Sequence, residues 1–200
     1  MEGRFREEKP ASQVARVDSD PTEGSLVRAA QAGDKKAFGR LVRIHQKRLF
    51  RFILGLTGSF DQTEDVVQEA FVKAYGALDR FESERDFYPW LATIARNLAF
   101  NQMQRDKKQE SLDRIQEQGF DRAGDKEDPL DRLLNSENKK RFFEALKGLP
   151  DQYREVFVLR HFEEMSYQDI AVKLKVAPGT VDSRLYRARQ MLVEALEEFL

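Results

Sequence analysis

The sequence predicts an all-α protein: two small helical domains joined by a flexible acidic linker. Three observations carry this. Apolar residues recur at three- and four-residue spacing through most of the chain, and runs that alternate as strands do are scarce. Small polar residues followed three positions on by an acid stand ahead of several of those runs, as helix starts do. Charge is segregated, with net −2 over residues 1–24, +5 over 25–108, −4 over 109–129 and 0 over 130–200, so an acidic connector separates a basic block from a neutral one.

Residues 1–24 hold two prolines and many charges without periodicity, and are expected to be a disordered extension. From Ser25 the pattern turns helical. Leu26, Val27 and Ala30 form a short helix, Gly33-Asp34 breaks it, and Phe38, Leu41, Val42, Ile44, Leu49, Phe50, Phe52 and Ile53 mark a longer one that Gly55, Gly58 and Ser59 close. Asp61 to Glu64 has the spacing of a capping box. It launches a helix with Val66, Val67, Ala70, Phe71, Ala74, Tyr75 and Leu78 inward and Asp65, Gln68, Glu69, Val72 and Lys73 opposite. Such a ridge is usually a solvated face, and it also suits a protein partner.

Arg80 to Tyr88, RFESERDFY, is a charged loop interleaved with aromatics. Pro89 opens a third helix with Trp90, Leu91, Ile94, Ala95 and Leu98 inward, and Arg96, Asn97, Asn101, Arg105, Lys107 and Lys108 more exposed. Aromatics beside cations are what single-stranded nucleic acid requires, π faces for unstacked bases and charge for the backbone. Phe81, Phe87, Tyr88 and Trp90 equally suit the core of a small domain, and about half are expected there. The connector 109–129 would span roughly 70 Å if extended, comparable with two turns of duplex. Leu130 onward reads as a helix over Leu133, Leu134, Phe142, Phe143 and Leu146, a stop at Gly148 and Pro150, and another helix through Tyr153, Val156, Phe157 and Leu159.

Met165 to Arg189, MSYQDIAVKLKVAPGTVDSRLYRAR, is a helix-turn-helix pattern. Ser166 and Asp169 form a capping-box start, Ile170, Ala171 and Leu174 give one stripe, Lys175-Val176-Ala177 interrupts it, and Pro178 suits the first position of a new helix. On that second helix Val181, Leu185, Ala188 and Leu192 share one sector. This turns Gly179, Ser183, Tyr186 and Gln190 outward with Arg187 beside them, while Arg184 and Arg189 flank the apolar sector. From Lys173 to Arg189 the net charge is +4. A basic face on an ordinary helix hairpin would have that charge too. The cap, the proline start and the polar outer face together favour a duplex-reading helix.

Composition bounds the chemistry. Forty per cent hydrophobic and 34% charged residues suit one or two soluble domains. Zero cysteines exclude disulfides, thiolate metal sites and cysteine nucleophiles, which fits a reducing cytoplasm. His45 and His161 sit apart beside apolar residues and read as structural. There is no glycine-rich phosphate loop, no paired histidine and acid and no metal-ligand spacing, so no catalytic residue, metal or cofactor is expected. Neither a membrane span nor a secretory signal is expected.

DQTEDVVQEAFVKAY, DFYPWLATIARNLAFNQMQRDKK, LPDQYREVFVLRHFEEMSYQDIA and GTVDSRLYRARQML, in this order across about residues 25–196, together resemble an extracytoplasmic-function (ECF, group IV) sigma factor of bacterial RNA polymerase. The resemblance implies sigma domain 2 over 25–108, a linker over 109–129 and sigma domain 4 over 130–200. Domain 2 would bind the clamp helices of the largest subunit of core RNA polymerase through Asp65, Gln68, Glu69 and Val72. It would capture and melt the −10 element with Lys73, Phe87, Tyr88, Trp90, Arg96, Asn97 and Asn101. Domain 4 would read the −35 element of promoter DNA with Ser183, Tyr186 and Arg187, supported by Thr180, Arg184 and Arg189. An anti-sigma factor would control the protein, which would be cytoplasmic and, through that partner, held at the membrane. The alternative is a stand-alone helix-turn-helix regulator that binds duplex DNA without polymerase.

Asp182 departs from the family, which usually carries Arg or Lys there. A carboxylate accepts from cytosine N4 or pairs with a neighbouring arginine, and pairing is the stronger expectation. Asp182→Arg is expected to raise promoter affinity and steepen its salt dependence by about one phosphate's worth in the log–log slope. An unchanged slope in a binding titration would count against a DNA-facing Asp182.

Overall fold

The computed structural model describes residues 22–113 and 137–197, and the side chains of 107–139 are outside the description. The expected disorder of 1–21, most of the linker, and the helix expected over Leu133 and Leu134 therefore lie outside the described residues. Within them the regular elements are all helical: α1 (Glu23–Gln31), α2 (Lys35–Thr57), α3 (Phe60–Gly76), a 3-10 turn (Leu78–Arg80), α4 (Phe87–Asp113), α5 (Glu137–Gly148), α6 (Asp151–His161), α7 (Tyr167–Leu174) and α8 (Pro178–Glu197).

The local chemistry of each start and stop is visible. Thr22 accepts from Ser25 N at the head of α1, which places the helix two residues before the expected boundary. Asp34 accepts from the amides of Lys36 and Ala37 and caps α2. Gly58 ends α2 in the left-handed region at φ 63°. Gly55, expected to help close that helix, lies inside it. The capping box expected at Asp61 is also corrected: α3 begins at Phe60, and its N-cap Ser59 makes no side-chain cap bond. Hydroxyls hold the corner instead. Thr63 Oγ1 donates to the Ser59 carbonyl at 2.6 Å and lies 2.8 Å from Thr57 Oγ1.

Helix α4 begins at Phe87 rather than Pro89, because Glu23 Oε1 on α1 accepts from the Phe87 amide at 2.9 Å. An acid at that position satisfies an orphan donor and faces the positive helix end. The helix runs on to Asp113, so the first residues assigned to the linker are helical.

Helices α1–α4 form one unit and α5–α8 another, and they meet along α2, which packs on α3 and α4 as well as on α5 and α6. From Phe52 to Thr57 every residue of α2 is buried. A helix apolar all round needs cover on all sides. Gly55 and Gly58 allow the approach: a Cβ on Gly55 would stand 3.0 Å from Val158 Cγ2, and one on Gly58 would stand 2.5 Å from Lys147 Cβ. The buried residues of the two units form one continuous apolar cluster.

His45 is buried on α2, with Phe87 and Tyr88 ring centroids each 5.6 Å away and Glu23 Oε2 3.1 Å from Nε2. Burial lowers its pKa below the ordinary 6.5, against the pull of Glu23 and with help from Arg48. As pH falls, the unfolded chain takes up this proton first, so the stability contributed by the neutral ring is present above 6.5 and lost as pH drops below it. Between about pH 7.5 and about pH 5.5 the melting temperature of the wild type is expected to fall further than that of His45→Gln, as read by circular dichroism. Parallel curves would contradict this role for the ring.

Candidate nucleic-acid interfaces

The helix-turn-helix forms as the pattern predicts. Ser166 Oγ accepts from the Asp169 amide at 3.1 Å and donates to its carboxylate at 2.6 Å, fixing the start of α7. Lys175 ends α7 in the left-handed conformation, φ 55° and ψ 46°, and Pro178 is the first residue of α8. Val181, Leu185, Ala188 and Leu192 are buried. Their burial turns Gly179, Ser183, Arg187, Arg189 and Gln190 outward, with Tyr186 60% exposed, while Thr180 and Arg184 are half-buried at the edges. Ser183 donates to the Thr180 carbonyl at 3.0 Å, which leaves its oxygen free to accept.

Asp182 is exposed and, among the described residues, makes no ion pair. Pairing with an arginine was the stronger expectation, and spacing explains why it fails. The positions a helix would bring to Asp182 from the C-terminal side are Leu185 and Tyr186, not Arg184 or Arg187.

On the first unit, Asp65, Gln68 and Glu69 are exposed along α3, and Val72 is 71% exposed among them. Val72 stands bare beside two acids and an amide, as Ile44 and Val172 stand bare elsewhere, so its exposure alone does not mark a partner. Lys73 pairs with Glu69 at 2.8 Å, so residues assigned to two different functions neutralise one another here.

The aromatic residues divide. Phe87 is fully buried and Tyr88 is 5% exposed, so in this arrangement neither offers a face to a base. This corrects the reading of them as open stacking platforms: both follow the loop directly and their rings plug the space between α1, α2 and α4. Trp90 is half-buried, its ring 4.7 Å from Phe81 and 5.6 Å from Phe87 between centroids. It lines an open pocket of about 470 Å³ with Arg80, Phe81, Glu82, Arg85, Asp86 and Pro89, two cations facing two acids. The volume is that of a small-molecule site. Arg80, Phe81 and Arg85 were missing from the sequence-based set, although the charged, aromatic composition of RFESERDFY was the signal for them. Asn97 and Asn101 are exposed on α4.

Arg96 and Tyr88 face the second unit. Arg96 is ion-paired with Glu155 of α6. The Tyr88 hydroxyl donates to Glu163 Oε1 at 2.6 Å, Arg48 donates to Glu163 Oε2 at 3.0 Å, and the Arg48 guanidinium lies 3.9 Å from the Tyr88 ring centre. Glu163 has only 7% of its side chain exposed. Burial raises its pKa, opposed by the Tyr88 hydrogen bond and Arg48, and burial likewise raises Tyr88 with Glu163 adding to the shift. Nearby Lys173 is lowered, chiefly by burial and then by Arg96. These cross-unit contacts occupy the start of α4, beside the pocket.

Residues 41–109 match the sequence family described as Sigma-70 region 2, and residues 139–192 match Sigma-70, region 4. The RNA polymerase sigma-H factor of Pseudomonas aeruginosa is 36% identical over 181 residues, covering 88% of this chain and 94% of that protein. The ECF RNA polymerase sigma-E factor of Escherichia coli K12 is 36% identical over 177 residues, 86% of this chain and 92% of that protein. Among solved structures, the sigma factor RpoE in complex with the anti-sigma factor NepR from Bartonella quintana aligns with a TM-score of 0.62 at 31% identity, over 81% of this chain and 98% of that one. CnrH in complex with the cytosolic domain of CnrY aligns with a TM-score of 0.61 at 28% identity, over 88% and 97%.

The cross-unit contact can be tested without touching the residues expected to face DNA. Gly55→Leu places a side chain where Val158 and Phe162 pack. It is expected to keep the helical content while enlarging the radius of gyration measured by X-ray scattering. An unchanged radius would contradict close packing of α6 on α2.

Proposed function

Because the chain belongs to the ECF sigma factors of RNA polymerase, we propose that its two helical units hold two promoter elements while docked on core polymerase. It is a transcription initiation factor, and binding energy rather than bond chemistry performs its task. The observation that carries the DNA-reading part is the outward face of α8, with Ser183, Tyr186 and Arg187 exposed over a buried apolar stripe.

Domain 4, over 130–200, sets the start of α8 in the major groove of the −35 element. Ser183 and Tyr186 reach base edges, Arg187 reaches a guanine or a phosphate, and Thr180, Arg184 and Arg189 fix register on the backbone. Asp182, unpaired on the same face, repels phosphate and accepts from a cytosine amine, which shifts the sequence preference away from a cation at that point.

Domain 2, over 25–108, docks on the clamp helices of the largest polymerase subunit through Asp65, Gln68, Glu69 and Val72. The pocket beside Trp90 receives a base of the opened −10 element. Asn97, Asn101 and Lys73 follow the strand, and Phe87 holds Trp90 in place from beneath. Taking a base out of the stack costs a few kcal/mol, least at a weakly paired step, and the pocket offsets it with ring contact, since Arg85 is paired with Glu82 and Asp86 also lines the site.

Tyr88 and Arg96 belong to the same DNA surface yet are engaged by Glu163 and Glu155 in the packed arrangement. The two units therefore part along α2 before DNA is gripped, and the 109–129 connector sets how far. The chain is controlled by an anti-sigma factor, in keeping with the bound partners of the RpoE and CnrH structures. It acts in the cytoplasm, held at the membrane through that partner. Among the described residues no helix is long and apolar enough to cross a membrane.

Mixing the pure chain and promoter duplex with and without core polymerase tests the reading. Specific binding and strand opening are expected only with polymerase. Tyr186→Ala with Arg187→Ala should weaken promoter binding by about tenfold or more while leaving polymerase association intact. Specific duplex binding by the chain alone would favour a stand-alone regulator.

A further inference from the structure

Helix α2 carries a feature that neither promoter element uses. Lys36, Arg40, Arg43, Lys47 and Arg51 are all exposed, and their spacing of four, three, four and four residues puts them on one stripe of the helix. The stripe is about 22 Å long at the rise of an α-helix. Between Lys35 and Thr57 there is no acidic residue, and among the described residues none of the five cations has an ion pair. Neighbours three and four residues apart along the stripe repel. Helix α3 shows the contrast: on its exposed face Lys73 is paired with Glu69. A solvated face has no reason to sustain the unrelieved repulsion of α2.

The stripe also has a wall. Helix α1 lies beside the first half of α2, and the two flank an open groove of about 930 Å³ lined by Leu26, Ala29, Lys36, Arg40 and Arg43 and by one acid, Asp34, whose carboxylate is engaged by the amides of Lys36 and Ala37. From its other side α1 touches the pocket loop, where Gln31 donates to the carbonyls of Leu78 and Phe81 at 2.9 and 2.7 Å. The groove and the base pocket thus flank one short helix.

We infer that the α2 stripe is a sequence-independent track for a nucleic-acid backbone, separate from the −10 and −35 faces. A row of evenly spaced cations matches a polyanion with charge at regular intervals along its length, and a small free anion would engage one or two of the five. Phosphodiester backbone is that ligand, read by charge and spacing with no base contact. The inference rests on the promoter-binding reading only for where the strand comes from.

The test uses the full-length chain in which Lys36, Arg40, Arg43, Lys47 and Arg51 are all changed to Gln. Removing repulsion should leave its melting temperature at or above that of the wild type, so loss of fold does not mimic loss of binding. Fluorescence anisotropy with a labelled mixed-sequence single strand, and with the matching duplex, is measured across a salt series. The variant is expected to bind at least about tenfold more weakly at low salt. Its log–log salt slope should fall by about 3.5 for a single strand or about 4.5 for duplex, and the arm that shows the full drop identifies the strand form. Unchanged affinity and slope in both arms would overturn the track. So would a variant that loses polyglutamate binding while keeping DNA, which would make the stripe a dock for an acidic protein. Polymerase association and binding of Ser183, Tyr186 and Arg187 to a −35 duplex are scored separately, so failure of the track is distinguishable from failure of the sigma-factor reading.

Discussion

Everything in the fold turns on the second half of α2. Leu49, Phe50 and the run from Phe52 to Leu56 are apolar on every side, so one partner layer cannot cover them. Helices α3 and α4 cover one side and α5 and α6 the other, and the two glycines let α6 and the end of α5 approach without side-chain interference. Each large apolar side chain covered in this way contributes up to about 1.5–3 kcal/mol. That is enough to hold two units together without a continuous, fully apolar interface around them.

The polar contacts at the same seam have a different role. Glu163 is nearly enclosed, and its two oxygens are taken by Tyr88 and Arg48. A buried carboxylate with both partners present adds little net stability, whereas loss of one partner leaves a charge without compensation. Such a contact selects one arrangement over near alternatives. It also holds Tyr88 under the second unit, as Glu155 holds Arg96, so the surface proposed to grip an opened strand and the surface that keeps the units together overlap.

Much of this was legible beforehand. Helix periodicity located α2, α3, α6, α7 and α8, and the Ser166 cap and Pro178 fixed the helix-turn-helix because their effects are local. What escaped was set by partners distant in sequence. Glu23 moves the start of α4 to Phe87 from 64 residues away. Gly55 looked like a helix stop because its reason, the approach of Val158, lies across the seam. Phe87 and Tyr88 looked like stacking platforms because composition cannot tell a ring facing solvent from one facing His45. Arg80, Phe81 and Arg85 were in view as a charged aromatic loop, yet their convergence on Trp90 depends on the turn at Leu78–Arg80. The apolar run in α2 did hold one unread signal: a helix with no polar face predicts a second covering layer.

In the proposed function one seam both joins the units and covers part of the strand-gripping face, so that engagement on promoter DNA requires it to part. The chain has no cysteine, which allows two labels to be introduced at Gln46→Cys and Glu194→Cys, both exposed and neither assigned to a DNA face. The distance between them, read by pulsed electron spin resonance, is predicted to be single and short in the free chain and to lengthen when core polymerase and promoter are added. A distance that stays the same through assembly would contradict the account.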